Sequence, residues 1–269
     1  MKNGYYIIDS HCHIYPEKIA QAASDHTSKF YDLAMCGTGT PASLMEDSAR
    51  AGIDMCVVQS VALKPSQVRS INKFIAESVA ASKGRFVGLG TLHPDSEDVA
   101  GDIEHLVSLG LHGVKLHPDM QEFKLDDYRF LKMYELCEGR LPMLIHTGDF
   151  RYDFSNPNRM LPILEIYKNL TVVGAHFGGW SVWEDAVKTL ASRHFDNFYV
   201  DSSSSFYAHT DGQIRDLISA FGVDRVLFGV DYPMWDPSGE VDRLFGLGLP
   251  EEDLKKIFAQ NAKLVYNII

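Results

Sequence analysis

Six side chains able to bind metal or move protons stand at the ends of short apolar runs. His11 and His13 close YYIIDSHCH, His117 closes HGVKLH, His146 closes PMLIH, His176 closes LTVVGAH and Asp231 closes RVLFGVD. His11 and His13 lie two positions apart, with Cys12 between them, so in an extended backbone both imidazoles leave the same face and can address one ion. With His146 and Asp231 added, the donors are three imidazoles and a carboxylate. Zinc accepts such a set, as do manganese and iron, and a position is left for water. A lone HxH pattern means little, and any one of these histidines alone reads as a satisfied structural residue. Five at run ends, with a carboxylate on the last run, point to a site. Of the remaining histidines, His26, His105 and His194 read as solvent-exposed. His93 and His209 follow runs and stand open between lining a mouth and a structural role.

The runs themselves say what must position these groups. Centred on Ile8, Val57, Val87, Val114, Leu144, Val173, Val200 and Leu227, they recur every 27–30 residues after a first interval of 49. Continuous apolar runs suit strands buried on both faces of a parallel sheet. Each interval holds one strand, one crossover helix and two loops. Eight such units predict a single-domain α/β fold over 1–269, a (β/α)8 barrel, whose strand ends converge on one mouth. A doubly wound open sheet is the alternative, but no GxGxxG turn follows the first strand. Residues 66–83 carry Val68, Ile71, Phe74, Ile75 and Val79 at helical spacing, and Thr40-Pro41 reads as a helix start. The long first interval predicts an insertion after strand one, about residues 14–40, carrying Tyr15, Pro16, His26 and Tyr31. It is either a lid over the mouth or an excursion packed on the barrel.

Charge and cysteine usage narrow the partners. The 25 Lys+Arg against 36 Asp+Glu give a net charge of −11, which excludes a nucleic-acid or anionic-membrane partner. No apolar run reaches the ~18 residues of a membrane span. The start of the chain carries no export signal, and Cys12, Cys36, Cys56 and Cys137 form no CxxC pair, so reduced thiols in a cytoplasmic protein are expected. The expected partner is a small-molecule substrate, and association into a homo-oligomer is left open.

The motifs IIDSHCH, GVKLHP, LIHTG, GAHFGG, FGVDYP and the closing NAKLVY, spread over essentially the whole chain, resemble the amidohydrolase superfamily. The resemblance is to the amidohydrolase-related branch that includes aminocarboxymuconate-semialdehyde decarboxylase. It implies one divalent ion held by His11, His13, His146 and Asp231, with zinc expected and manganese or iron as alternatives. It also implies that His176 contacts the reacting water or the substrate. In other branches a strand-four lysine is carbamylated and bridges two metals. Here the resemblance implies a single ion, with Lys115 and His117 near the substrate; the other reading buries Lys115 against Asp9. Arg151 is either a clamp for a substrate carboxylate or a solvated loop charge. Trp180, Tyr207, Tyr232 and Trp235 either wall the substrate or pack the loops.

The leading expectation is a metal-dependent hydrolase of a small C–N or C–O substrate. The ion would activate water, Asp231 would take its proton, and His176 would act as acid/base or oxyanion partner. The same residues suit a metal-dependent non-oxidative decarboxylase of an unsaturated or aromatic acid. A third reading is a catalytically silent barrel that binds metal or ligand, although such a site has no need of Asp231. Metal analysis of protein purified without chelator is expected to find about one equivalent of Zn, Mn or Fe, lost in a His11→Ala/Asp231→Asn variant. Two equivalents would indicate a binuclear site and a carbamylated Lys115.

Overall fold

Apolar alternation places Ile8, Val57, Leu89, Leu144, Val173 and Leu227 in one fully buried interior cluster, and the strands that carry them wrap around it. A computed structural model describes residues 1–269. Its strands are β1 (Ile8–His13), β2 (Met55–Gln59), β3 (Phe86–Gly88), β4 (Gly90–Thr91), β5 (Val114–Leu116), β6 (Met143–Ile145), β7 (Val172–Gly174), β8 (Phe198–Asp201) and β9 (Val226–Leu227). All pairings are parallel. β3 and β4 are two halves of one barrel strand that changes partner at Leu89. The Leu89 amide donates to Val58 O and the Gly90 amide to Gly113 O, both at 2.9 Å. The circle closes where the chain after β9 meets β1. Ser10 N–H donates to Phe228 O (2.9 Å), Asp231 N–H to His11 O (2.8 Å) and His13 N–H to Tyr232 O (2.7 Å). The fold is the expected (β/α)8 barrel.

Two differences bear on the site. The eighth run does not stay in the sheet as far as Asp231: β9 ends at Leu227. Beyond it the chain squeezes past β1 at Gly229, where a Cβ would stand 3.1 Å from His11 Cβ and 3.2 Å from Ser203 Cβ. It then turns at Asp231, whose φ of 70° lies in the left-handed region, a conformation that costs a non-glycine residue energy and recurs at functional sites. The insertion, in turn, is not a loop. It holds helix α1 (Glu17–Tyr31), and Tyr15 N–H to Gly39 O (2.7 Å) ties its base together. The next helix, α2 (Pro41–Ala51), starts where expected, with Thr40 Oγ1 accepting from Ser43 N–H at 3.1 Å and Pro41 in the first turn. Helix α3 (Val68–Ala81) buries Val68 and Ile75, while Ile71 and Phe74 stay half-buried because they face the mouth. No helix is long and apolar enough to cross a membrane. Cys12, Cys56 and Cys137 are buried, Cys36 is exposed, and all four are free thiols.

The helix Pro237–Gly246 packs against α2 and brings a carboxylic acid, Glu240, into the interior. Burial, with Asp9, Asp231 and Asp236 nearby, pushes Glu240 up to about 8 against the opposing charge of Arg243. The folded state therefore holds a proton that the unfolded chain has released. Stability from this group is full below about pH 4.5 and falls as pH rises toward about 8. Glu240→Gln is expected to melt with the parent near pH 5 and roughly 4–8 °C above it at pH 8, as scanning calorimetry across that range would show.

Candidate metal and substrate site

The strand ends deliver their side chains into a cavity of about 410 Å³ at the mouth of the barrel. A bulge in β1 between Asp9 and Cys12 does not spoil the HxH geometry. His11 Nε2 and His13 Nε2 are 3.2 Å apart, and Asp231 Oδ1 lies 3.3 Å from the first and 3.5 Å from the second. Donors bound at about 2.1 Å around one tetrahedral ion are separated by about 3.4 Å, so these three atoms fit a single divalent ion.

Each end of this tripod is held from behind. Asp201, at the end of β8 and fully buried, accepts from His11 Nδ1–H at 2.8 Å and from the His176 backbone N–H at 3.0 Å. Its partner Ser203 donates to it from Oγ and stands 3.0 Å from His11 Nδ1 and 2.9 Å from His176 Nδ1. Burial would raise the Asp201 carboxyl, but the neighbouring His11 and His176 rings and these hydrogen bonds hold it at about 2. With its proton fixed on Nδ1, His11 presents the Nε2 lone pair to the tripod. On the other side, Trp235 Nε1–H donates to Ser204 Oγ (2.7 Å), and Ser204 donates to Asp231 Oδ2 (2.6 Å). Burial would raise Asp231 too, yet His11, His176 and His13 keep it well below the usual carboxylate range. Burial drives His13, His117 and His146 well below the ordinary imidazole value and His176 to about 4. Neutral imidazole is the ligating form.

The structure brings together three of the four expected ligands. His146 is turned aside: Nδ1 lies 3.0 Å from His176 Nε2, and Nε2 lies 3.0 Å from Gly148 O and 3.5 Å from Asp119 Oδ2. Gly148, at φ 85° and pressed on the Gly179 backbone, folds the chain back so that its carbonyl meets the ring. The His146 ring stacks at 4.0 Å on His117, whose Nε2 is hydrogen-bonded to the Tyr31 hydroxyl of α1 at 2.6 Å. The insertion thus reaches the site, as a lid would.

Lys115 is fully buried with its ammonium 3.1 Å from His11 Nε2 and no carboxylate within ion-pair distance. Burial lowers it to about 8, against the pull of Asp231 and Asp201. The alternative pairing with Asp9 does not form, because Asp9 accepts instead from His11 N–H (3.1 Å) and Val230 N–H (2.9 Å). Arg151 offers no free fork. Its guanidinium grips Asp149 at 2.6 and 2.9 Å, donates to Phe30 O and lies over the rings of Phe30 and Trp180, outside the cavity. Trp180 packs edge-on against Tyr31 at 4.9 Å. Tyr207 stacks on Trp235, and the Tyr232 hydroxyl donates to Ser43 Oγ, so these aromatics pack loops instead of walling the cavity. His93 and His209 are held by local backbone contacts. His194 is exposed, His105 is half-buried, and His26 stands at the cavity rim.

Sequence reasoning passed over Asp201, Ser203, Ser204 and Asp119. Asp201 carried a usable signal, since it closes the run FYVD at the same level as the histidines. The serines carried none beyond the tract Ser202–Ser205.

The family model described as amidohydrolase matches residues 8–268. A 2-amino-3-carboxymuconate-6-semialdehyde decarboxylase of Dictyostelium discoideum is 23% identical, over 88% of this chain and 77% of that protein. A TIM-barrel protein of Bordetella bronchiseptica superposes with a TM-score of 0.80 at 21% identity, covering 97% of this chain and 98% of that one. A 5-carboxyvanillate decarboxylase of Sphingomonas paucimobilis gives 0.77 at 19% identity, covering 99% and 100%. A dihydroxybenzoic acid decarboxylase of Polaromonas sp., with bound manganese and 2-nitroresorcinol, gives 0.76 at 18% identity, covering 98% and 97%.

The support behind the tripod makes a measurable claim. Asp201→Asn keeps the shape but removes the charge that orients His11. Divalent-metal affinity is expected to fall about 10–100-fold, by competition against a chromogenic chelator, with circular dichroism unchanged.

Proposed function

The chain belongs to the amidohydrolase family, and on that premise we propose that it is a metal-dependent non-oxidative decarboxylase of a small aromatic or unsaturated carboxylic acid. The observation that carries this reading is Lys115. A fully buried ammonium with no carboxylate partner is costly unless an anion comes to it, and it stands beside the tripod at the inner end of the cavity. A substrate carboxylate is the anion that fits. The decarboxylases named among the relatives support the same choice.

A divalent ion held by His11, His13 and Asp231 would supply Lewis-acid stabilisation of charge on the substrate; manganese or zinc suits these donors, and His146 is the fourth ligand if its ring swings from Gly148. Lys115 and that ion draw on the same His11 lone pair, so an ammonium displaced from it is left facing the cavity and the carboxylate. The reaction replaces the C–CO2⁻ bond with C–H, the electron pair staying on carbon and one proton arriving from the protein. We assign that proton to His176: with Nδ1 held by Ser203, its Nε2 takes up a proton from water, delivers it to the carbon that has lost CO2, and the ring returns to its neutral form. Asp231, ionised and held by Ser204, stabilises positive charge on the ring while it carries the proton. His117 and Tyr31 close the wall against water.

Incubating manganese-loaded protein with hydroxybenzoates and conjugated enoic acids is expected to release CO2 from at least one. Asp231→Asn and His176→Asn should each lower the rate about 10²-fold or more. Amine or alcohol release from an amide and ester panel, with no CO2 from any acid, would return the function to hydrolysis.

A further inference from the structure

The cavity is divided in character. Its inner end holds the tripod and Lys115. Its outer chamber is bounded by Ile19 of α1, Met35, Leu63, Ile71 and Phe74 of α3, and Met234. Ile19 and Leu63 are large apolar side chains left exposed at the rim, 52% and 39% respectively, which is where an apolar ligand group would cover them.

The charges are equally one-sided. Lys115 is the only lysine or arginine among the cavity-lining residues. Arg151, which follows the motif LIHTG, is spent on Asp149 and on the Phe30 carbonyl at the end of α1. Of the six lining histidines, five stand at the inner end around the tripod and only His26 stands at the outer rim. Asp231, the one acidic side chain in the lining, stands at the inner end with the tripod. A carboxylate placed in the outer chamber would lose water and meet no lysine or arginine there, only His26 at the rim and the uncharged Thr27, Gln67 and Ser70.

From this division we infer that the site selects monocarboxylates, with the single carboxylate at Lys115 and an uncharged, largely apolar remainder in the outer chamber, and that it rejects dicarboxylates. The inference rests on the decarboxylase reading only in placing a carboxylate at Lys115. Within that reading it specifies the rest of the substrate. About 410 Å³ holds one substituted ring or a short conjugated chain.

Binding can be tested without turnover, by calorimetric titration of the manganese-loaded full chain with benzoate, 4-butylbenzoate and isophthalate. Four added methylene-sized groups are expected to tighten binding about tenfold or more, after discounting for partial burial at the open rim. Isophthalate is expected to bind at least about tenfold more weakly than benzoate. Leu63→Arg puts a cation in the outer chamber at an exposed position and should recover most of the isophthalate deficit while costing 4-butylbenzoate its advantage. Its folding is checked by its melting temperature. Isophthalate binding as tightly as benzoate to the parent would overturn the inference, since a cation would then reach the outer chamber. So would an absent butyl gain, or a normally melting Leu63→Arg that leaves the ranking unchanged. If none of the three acids binds, the placing of a carboxylate at Lys115 falls, and the decarboxylase reading with it. If acids bind but the ranking fails, only the monocarboxylate inference is lost.

Discussion

One buried carboxylate, Asp201, is the constraint on which the site is built. It has no exposure, and an anion in that position survives only by filling its lone pairs. The donors it takes come from three different strand ends: the His11 ring near the end of β1, the His176 backbone after β7, and Ser203 just beyond its own strand β8. Those donors meet because the barrel closes, so closure of the sheet and satisfaction of the charge are one event. The same bond selects the tautomer of His11. Everything nearer the substrate, from the tripod to the lysine that borrows the His11 lone pair, inherits its position from a residue that never faces the cavity.

The Asp231 end is built differently. No strand continues to it, and its left-handed backbone after a tight passage at Gly229 is held by the relay Trp235–Ser204–Asp231. A rigid ladder on one side and an irregular, side-chain-braced loop on the other is a division of labour suited to the catalytic face of a barrel, where strands fix position and loops provide variation.

How far the sequence went can be argued residue by residue. The barrel was legible because a parallel strand buried on both faces leaves an unmistakable apolar run, and because, after the long first interval, the runs kept nearly constant spacing. Strand-end histidines were legible for the same reason. What could not be read were outcomes decided by one side chain's neighbours in space. His146 turns away because Gly148 folds back beneath it. Arg151 is consumed by Asp149 two residues earlier and by a helix end more than a hundred residues distant. The helix in the insertion was obscured by its polar composition, EKIAQAASDHTSKFY, whose few apolar residues face the mouth and not a core. Asp201 was within reach of the rule that found the histidines, and was missed because a run ending in a carboxylate is common where a run ending in HxH is not.

The hydrogen bond between the Tyr31 hydroxyl and His117 has a consequence for anything that binds. Tyr31 is tethered to the first metal-binding strand through α1, so its phenol sits at His117 at an effective concentration of the order of millimolar or above. A free phenol or hydroxyl that seeks the same nitrogen has to outcompete it. The lid is thus a built-in competitor as well as a cover, and it sets a threshold affinity that weakly held hydroxylated compounds fail to pass.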